Sequence, residues 1–296
     1  MAGFIILLTV CAVFIPVFEF TEKFQDYLVH FLIFLIFSGL IGLILSNKTI
    51  LYTSFGCAAA LAFFLKNASN PELKNPTTNG RNKLTVVHIN LSLITDVETV
   101  RNIISDESIQ VISFQEYTPD WASIIPEITK AKFPYIYQDV RIDLYGKAIF
   151  SKNIIRKSEV INYTDIPNIE TQIESGDDVF TILSSYMTPA LDNMSKTQAK
   201  SQFRFLEEYS LKNKDGKIIM GEFNQVYWSH DILSFRNKTG LLNSRRNVFP
   251  TTMKMPYDHI FYSPDLECFY FEELNDSDGN HFGCKSSFQF KNQKSR

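Results

Sequence analysis

The hydrophobic pattern divides the chain into an apolar N-terminal part and a longer part in which apolar and polar positions alternate. Three runs near the start, residues 1–18, 27–47 and 49–65, carry no charged side chain. As a helix, a run of about 17–21 residues is long enough to cross a hydrocarbon layer of roughly 30 Å. The pattern therefore predicts three transmembrane helices within residues 1–65, running up, down and up.

A cleaved signal peptide is the alternative interpretation of the first run. That run lacks the positively charged residues that begin a signal peptide, and two further apolar runs follow it. Buried core helices of a soluble protein are a second alternative, but none of the three runs has the polar face that such helices usually keep. Three membrane-spanning helices remain the interpretation that fits all three runs.

Charges beside these runs give little indication of membrane orientation. One lysine lies in each of the first two loops, and four basic residues follow the third run, at positions 66, 74, 81 and 83. The larger number favours a cytoplasmic C-terminal part, but three of the four lie several residues from the membrane, where their influence is weak. Residues 66–83 hold five Asn, two Pro and one Gly without apolar periodicity, so we interpret them as a linker.

Residues 84–296 show the pattern of a layered α/β domain. Segments that alternate or are rich in β-branched residues predict strands, and apolar residues at helical spacing predict helices. The predicted strands cover residues 84–93, 111–116, 146–152, 179–187, 217–224, 257–263, 268–274 and 281–290. Helices are predicted after Asp96 and over residues 119–130 and 195–211. Strands interrupted by helices, with hairpins near the end, indicate mixed sheets.

The charge of this domain disfavours duplex nucleic acid as a partner. Subtracting the six basic and four acidic residues that precede Leu84 from the chain totals leaves 23 basic and 28 acidic residues, a net charge of −5. Duplex binding requires a basic face that neutralises phosphates. The zinc and nucleotide motifs CxxC, HExxH and GxxxxGK[ST] are also absent from the sequence. Cys268 and Cys284 lie on successive predicted strands, where they either pair or remain free thiols.

Polar residues at the ends of the predicted strands are the candidates for chemistry. Taken one at a time, an Asn or Asp at a strand end is most often a turn residue, and a single His is most often a packed core or surface residue. Their order along the chain is more informative than any one of them. The candidates are Asn90, Glu116, Tyr186, Glu222, Asn224, Asp258, Asn280 and His281.

Six segments around these residues carry a resemblance to a known family. They are HIN at 88–90, FQE at 114–116, GKAIFSK at 146–152, GEFN at 221–224, YDHIF at 257–261 and DGNHFG at 278–283. In this order, residues 84–290 resemble the endonuclease/exonuclease/phosphatase superfamily. The resemblance implies a four-layered α/β sandwich of two packed mixed sheets flanked by helices. It also implies hydrolysis of phosphate esters with Mg²⁺, for which Mn²⁺ is a possible substitute.

The resemblance assigns a metal site to four of the candidates. Glu116 is the main expected ligand of Mg²⁺, which prefers carboxylate oxygen and keeps several waters. Asn90 is expected to help hold the metal or a phosphate oxygen. Two positions depart from the family pattern: Glu222 stands where an aspartate is usual, and Asn280 replaces the aspartate before the closing histidine. The remaining acidic residues are enough for one Mg²⁺ rather than two.

The resemblance also assigns catalytic roles. His281 is expected to contact the scissile phosphate, and Asp258 to accept its other ring N–H and fix its tautomer. Asn224 is expected to bind phosphate and, with Glu222, to orient the attacking water. Tyr186 stands where many relatives have histidine, and its hydroxyl is expected to donate to a phosphoryl oxygen.

The apolar runs before the domain resemble the membrane-bound bacterial branch of this superfamily. That likeness implies a multi-pass protein of the inner (plasma) membrane with its catalytic domain on the extracytoplasmic side. The expected function is a membrane-anchored hydrolase, a phosphatase or phosphodiesterase, acting on a lipid-linked or envelope phosphate ester. One alternative is a catalytically degenerate relative that binds a phosphorylated ligand or a protein partner, motivated by Glu222 and Asn280. The other is a nuclease, motivated by Tyr186.

Overall fold

The computed structural model describes residues 2–14, 24–70, 76–80, 82–212, 216–246 and 257–292. It begins with three apolar helices: α1 (Ala2–Phe14), α2 (Leu28–Ile44) and α3 (Lys48–Ser69). Among the described helices, α3, with 22 residues, is the one long and apolar enough to cross a membrane, whereas α1 and α2 are shorter apolar helices. The expectation of three full spans is thus reduced to one candidate span. The end of the first predicted span, after Phe14, lies outside the described residues.

Helices α2 and α3 form a close antiparallel pair. A Cβ atom at Gly42 would lie 2.7 Å from the backbone nitrogen of Leu51, so only glycine permits this approach. The side chain of Asn47 caps α3 by accepting from the Ile50 N–H at 3.1 Å. Many large apolar side chains of α2 nevertheless point outwards, namely Phe34, Ile36, Phe37, Leu40, Ile41, Leu43 and Ile44. An apolar surface of this extent is typical of a face that contacts lipid or protein.

Twelve strands in the described residues form two mixed sheets of six strands each. The first sheet has the order β11-β12-β1-β2-β4-β3, and the second has the order β5-β6-β7-β8-β10-β9. β1 and β2 are parallel, as are β7 and β8, and the other neighbours are antiparallel. The strands are β1 (Lys83–Asn90), β2 (Val111–Gln115), β3 (Tyr135–Asp139), β4 (Lys147–Ser151), β5 (Ile155–Tyr163), β6 (Ile166–Ser175), β7 (Asp178–Tyr186), β8 (Lys217–Glu222), β9 (Leu242–Asn243), β10 (Asp258–Tyr262), β11 (Leu266–Asn275) and β12 (His281–Phe290).

The two sheets pack face to face, and helices cover their outer faces. Val86 and Ile149 of the first sheet meet Ile182 and Ile218 of the second in one buried cluster. Helices α4 (Val97–Ser105) and α5 (Pro119–Thr129) pack on the outer face of the first sheet. Helices α6 (Asn193–Lys212) and α7 (His230–Thr239) pack on the outer face of the second. The result is an α/β sandwich, as the sequence predicted.

Local side chains explain one correction to the predicted strands. The first strand was expected to run to residue 93, but it ends at Asn90 and continues as a 3₁₀ helix, Leu91–Leu93. Asn90 causes this change because its side-chain oxygen accepts from the Ser92 N–H at 3.0 Å.

The open question of the two cysteines is also answered. Neither Cys268 nor Cys284 forms a disulfide bond within the described residues.

A buried ion pair joins the two sheets near one end of the sandwich. Arg245, just after β9, pairs with Glu273 of β11, and both side chains are almost completely buried. The guanidinium also lies over the ring of Phe271, 4.9 Å from its centroid. One of its N–H groups donates to the main-chain oxygen of Asp258 at 3.4 Å. Arg245 therefore holds the start of β10 against the other sheet.

The described residues 2–14 and 24–70, which hold α1 to α3, form a helical segment. This helical segment is attached to the α/β domain through the loop that follows β8. Val226, Tyr227 and Trp228 belong to the same buried cluster as Leu28, Leu32, Leu61 and Leu65 of the helices. The Trp228 indole N–H donates to the main-chain oxygen of Gln25 at 2.6 Å.

A second attachment lies at the C-terminal end of α3. Arg236 of α7 is buried and donates to the main-chain oxygen of Ala68, where the helix dipole favours a cation. Asn70 donates to the main-chain oxygen of Asn243 at 2.6 Å and to the Tyr262 hydroxyl at 3.0 Å. The helices and the domain are thus packed together at two separate places.

Candidate functional site

The candidate residues meet where the parallel strands of both sheets end. In the first sheet Asn90 of β1 lies beside Gln115 of β2, which places Glu116 next to them. In the second sheet Tyr186 of β7 and Asp258 of β10 both lie beside Glu222 of β8. Because the sheets are packed face to face, these ends form one polar cluster, and the C-terminal ends of parallel strands are a common position for ligand sites in α/β folds.

Asn90 connects the two carboxylates of this cluster. Its amide nitrogen donates to Glu222 at 2.7 Å and to Glu116 at 3.2 Å. Ser92 donates through its hydroxyl to Asn90 at 2.9 Å and to Glu116 at 3.0 Å. Gln115 holds Glu222 from the other side, since its side-chain oxygen accepts from the Glu222 N–H at 3.1 Å. Two acidic groups from different sheets are thereby held within reach of one amide.

Glu222 is buried close to two other carboxylates. Burial, together with the negative charges of Asp258 and Glu116, raises the pKa of Glu222 to about 8, although the hydrogen bond from Asn90 opposes this. Within the described part of the chain, no three His, Cys, Asp or Glu side chains form a metal-binding group. The carboxylate oxygens of Glu116 and Glu222 nevertheless suit a hard divalent cation, which takes its other ligands from water or substrate. The Asn90 side-chain oxygen is turned towards Ser92, and its NH₂ group faces the two carboxylates.

Asp258 orients two imidazole rings. Its carboxylate is 2.6 Å from Nε2 of His281 and 3.1 Å from Nε2 of the fully buried His88. Burial alone would raise the pKa of Asp258, but the hydrogen bonds from His281 and His88 hold it well below its usual range. Asp258 is therefore charged at neutral pH, and its carboxylate accepts a hydrogen bond from Nε2 of His281.

Asn224 and Tyr186 lie beside this cluster. The Asn224 amide donates to the main-chain oxygen of Met187 at 2.8 Å, and its side chain also hydrogen-bonds Tyr186. Burial and then the charge of Glu222 raise the pKa of the Tyr186 phenol above its usual range, so it keeps its proton and can donate. The ring of Tyr145 packs edge-on against Tyr186, with centroids 5.6 Å apart.

The backbone is strained at two of the site residues. Glu116 and Asn224 have positive φ values of 56° and 53°, a region that costs a non-glycine residue free energy and is often found at functional sites. Gly221 also has a positive φ, 153°, and a Cβ atom there would lie 1.8 Å from the Ser185 oxygen. Only glycine allows β7 and β8 to approach closely enough to align Tyr186 with Glu222.

Asn280 lies in the turn between β11 and β12, directly before His281. Its side-chain amide donates to Asp276 at 2.9 Å, and its backbone N–H donates to the same carboxylate at 2.7 Å. These bonds close the turn between β11 and β12. The structure therefore gathers seven of the eight candidate residues and places the eighth in a hairpin turn beside His281.

Three residues of the site were not predicted: His88, Gln115 and Ser92. His88 precedes Asn90 by two positions, so strand alternation places both side chains on the same face of β1. The alternation of side chains along the strand could therefore have identified His88 as a site residue. Gln115 and Ser92 are neighbours of predicted site residues, but their contacts depend on how the two sheets meet, which the sequence pattern does not contain.

Comparisons with known proteins agree with the fold. The profile of the Endonuclease/Exonuclease/phosphatase family matches residues 89–287, about two thirds of the chain. No curated protein sequence gives a significant match.

Several solved structures have a similar fold. A family protein from Bacteroides thetaiotaomicron has a TM-score of 0.55 at 15% identity, covering 74% of this chain and 99% of that one. The mannosyl-6-phosphatase Bt3783 of the same organism has a TM-score of 0.54 at 15% identity, covering 70% and 100%. D. rerio TDP2 complexed with a single-strand DNA product has a TM-score of 0.54 at 12% identity, covering 70% and 99%. At these identities the likeness concerns the fold alone.

Proposed function

Because the chain belongs to the endonuclease/exonuclease/phosphatase family, we propose that it is a membrane-anchored hydrolase of phosphate esters that depends on Mg²⁺, with Mn²⁺ as a substitute. The observation that carries the proposal is the convergence of Glu116, Asn90 and Glu222 with the Asp258–His281 pair at one edge of the sandwich. Carboxylates for a hard cation and an oriented imidazole are the groups that phosphate-ester hydrolysis requires.

Glu116 and Glu222 are the proposed ligands of the cation, and Asn90 is proposed to help hold the metal or a phosphate oxygen. When bound there, a divalent cation neutralises charge that develops on the phosphoryl oxygens. Asn224 and Glu222 orient the attacking water. The carboxylate of Asp258 accepts a hydrogen bond from the Nε2–H of His281, which leaves Nδ1 of that ring for the substrate. Tyr186 keeps its hydroxyl proton and donates a hydrogen bond to a phosphoryl oxygen. Asn280 stays a proposed ligand through its side-chain oxygen, since its hydrogen bonds to Asp276 use its N–H groups.

The apolar helices are the proposed membrane anchor. Helix α3 is long enough to span a bilayer, and the outward-facing apolar side chains of α2 favour a lipid environment for this helix as well. We propose an inner-membrane location with the domain on the extracytoplasmic side. A domain packed against its own anchor favours a lipid-linked or envelope phosphate ester as substrate. The acidic character of residues 84–296 makes DNA the less favoured substrate.

The test is hydrolysis by the full chain in detergent micelles, with p-nitrophenyl phosphate and bis(p-nitrophenyl) phosphate as reporter substrates. Glu116→Gln removes a proposed metal ligand with little change in shape, and we expect kcat/KM to fall by about 100-fold or more. Glu127→Gln, at an exposed position of α5, is the matched control and should stay within about twofold. EDTA should abolish activity, and Mg²⁺ or Mn²⁺ should restore it.

Two results would overturn the proposal. If the wild-type chain and Glu116→Gln are equally inactive on every ester, the protein is a binding protein of the same fold. If plasmid DNA is cleaved while both reporters and lipid phosphates are left intact, the nuclease interpretation replaces the phosphatase.

A further inference from the structure

A cavity of about 480 Å³ lies between the helical segment and the catalytic domain. Gln25 and Asp26, which precede α2, form one side of it, and Gln225 and Asp231 form another. Asn224, a residue of the candidate site, also lines the cavity. Asn224 therefore links the cavity to the candidate site, and part of the cavity wall comes from a segment about 200 residues away along the chain.

Tyr257 lies between the helical segment and the site. Its ring lines the cavity, and its main-chain oxygen accepts from the Phe223 N–H at 2.8 Å. Burial, together with the charges of Asp26 and Glu222 among its neighbours, raises the pKa of the Tyr257 phenol to about 12. The tyrosine is thus close to the carboxylate of the helical segment and to a carboxylate of the site. Asp26 lines the cavity together with Tyr257, and Glu222 pairs with Asp258, the residue after Tyr257.

The position of Gln25 and Asp26 is fixed by a contact from the domain itself. The Trp228 indole N–H holds the main-chain oxygen of Gln25 at 2.6 Å. Trp228 is almost completely buried among residues of α2 and α3, so this hydrogen bond is protected from water. The polar wall supplied by the helical segment is therefore held in a defined place.

The chemistry of the cavity wall indicates which part of a substrate fits it. Side-chain amides of Gln25, Gln225 and Asn224 both donate and accept, and the carboxylates of Asp26 and Asp231 accept. Alcohol hydroxyls both donate and accept, so several hydroxyls on one small molecule match this set. The wall also contains Lys196 and Lys200, together with the apolar residues Pro189, Ala190 and Leu191, which can pack against the C–H groups of such a molecule.

We propose that this cavity binds the hydroxyl-bearing alcohol of the phosphate ester, a polyol such as glycerol or a sugar, and that Gln25 and Asp26 of the helical segment select it. The inference rests on the proposed function and adds the substrate class to it. The helical segment then has two roles, as anchor and as one wall of the substrate site.

The experiment compares three phosphate monoesters that share the scissile group. They are glycerol 3-phosphate in solution, phosphatidylglycerol phosphate in phosphatidylcholine vesicles and p-nitrophenyl phosphate. The measured quantity is the ratio of kcat/KM for each polyol ester to kcat/KM for p-nitrophenyl phosphate, with the full chain in detergent micelles or vesicles. We expect Asp26→Asn to lower this ratio about tenfold, the size of one hydrogen bond to a charged group. Trp228→Phe, which keeps an aromatic ring but loses the indole N–H, should lower it about threefold.

Asp120→Asn is the matched control because it removes an exposed carboxylate from α5, on the other side of the molecule. It should leave the ratio unchanged. A wild-type chain that hydrolyses the esters, with the same ratio in Asp26→Asn, would overturn this inference alone. A wild-type chain that hydrolyses none of them would overturn the proposed function, and this inference with it. Comparison of the two polyol esters shows whether the alcohol is recognised free or linked to lipid.

Discussion

Replacing Asp258 by Asn is the sharpest perturbation of the site, because it keeps the shape of the side chain and removes its charge. The carboxylate accepts hydrogen bonds from His281 at 2.6 Å and from His88 at 3.1 Å, and it is buried. An amide at this position offers one oxygen and one N–H group in place of two oxygens. One of the two imidazoles then loses its acceptor, and His281 is no longer held in one orientation and tautomer.

The size of the effect follows from the bond that is lost. A hydrogen bond to a charged group contributes about 1.5–3 kcal/mol. Each 1.4 kcal/mol of transition-state stabilisation corresponds to a factor of ten in rate. Loss of the Asp258–His281 bond is therefore expected to lower kcat by about 10- to 150-fold. KM should change little, because Asp258 acts on the substrate through His281.

The assay is a double-mutant cycle on hydrolysis of p-nitrophenyl phosphate by the full chain. If Asp258 acts through His281, Asp258→Asn should lower kcat in the wild-type background and cause no further loss in the His281→Ala background. A thermal unfolding curve for each variant checks that the chains are folded. Equal losses in both backgrounds would refute the positioning role of Asp258.

Two predictions concern stability and are measured by unfolding of the full chain in detergent. Glu273→Gln leaves the buried Arg245 without its ionic partner and should lower the free energy of unfolding by about 3–5 kcal/mol. The control, Glu272→Gln at the exposed neighbouring position, should change the free energy of unfolding by less than about 1 kcal/mol. Equal effects of the two substitutions would contradict the reasoning. Lys147 is buried against the main-chain oxygens of Tyr145 and Pro167, and burial lowers its pKa to about 7. Because the lysine of the unfolded chain titrates near pH 10.4, the unfolded state binds more protons between these values, so stability should rise with pH from about 7 to 10 and be lowest below pH 7. Lys147→Met should remove that rise, and an unchanged pH profile would show that Lys147 is not its source.

The sequence was sufficient for the parts of the fold that depend on local pattern. The strand over residues 281–290 has the predicted bounds, and Asp96 caps α4 as expected, accepting from the Thr99 N–H at 2.7 Å. Strands β5 and β6 were not predicted. β5 alternates in exposure with few fully apolar positions, and β6 begins with Ile166-Pro167, a dipeptide more typical of a turn or an edge.

The site was predictable to the extent that it follows strand ends. Glu116, Glu222 and Asp258 each lie at or beside the end of a strand, so a linear pattern could identify them. Asn280 also fits the pattern, yet its side chain bonds Asp276 in the turn, a choice set by local hydrogen bonding. The docking of Trp228 on Gln25 joins residues 203 positions apart. The hydrophobic periodicity of the sequence does not predict such a contact. The contact depends on which surfaces of the helices and of the α/β domain remain uncovered after each has folded.

The two attachments between helices and domain set a limit on how the protein can move. Gln25 and Ala68 lie at the same end of the α2–α3 pair, and both are bonded to the domain there. The domain is therefore unable to swing away on a flexible tether. Placed in a bilayer, it would stay at one height and one angle above the lipid, and it would meet its substrates by lateral diffusion in the plane. Lengthening the chain between residues 70 and 83 would not extend its reach.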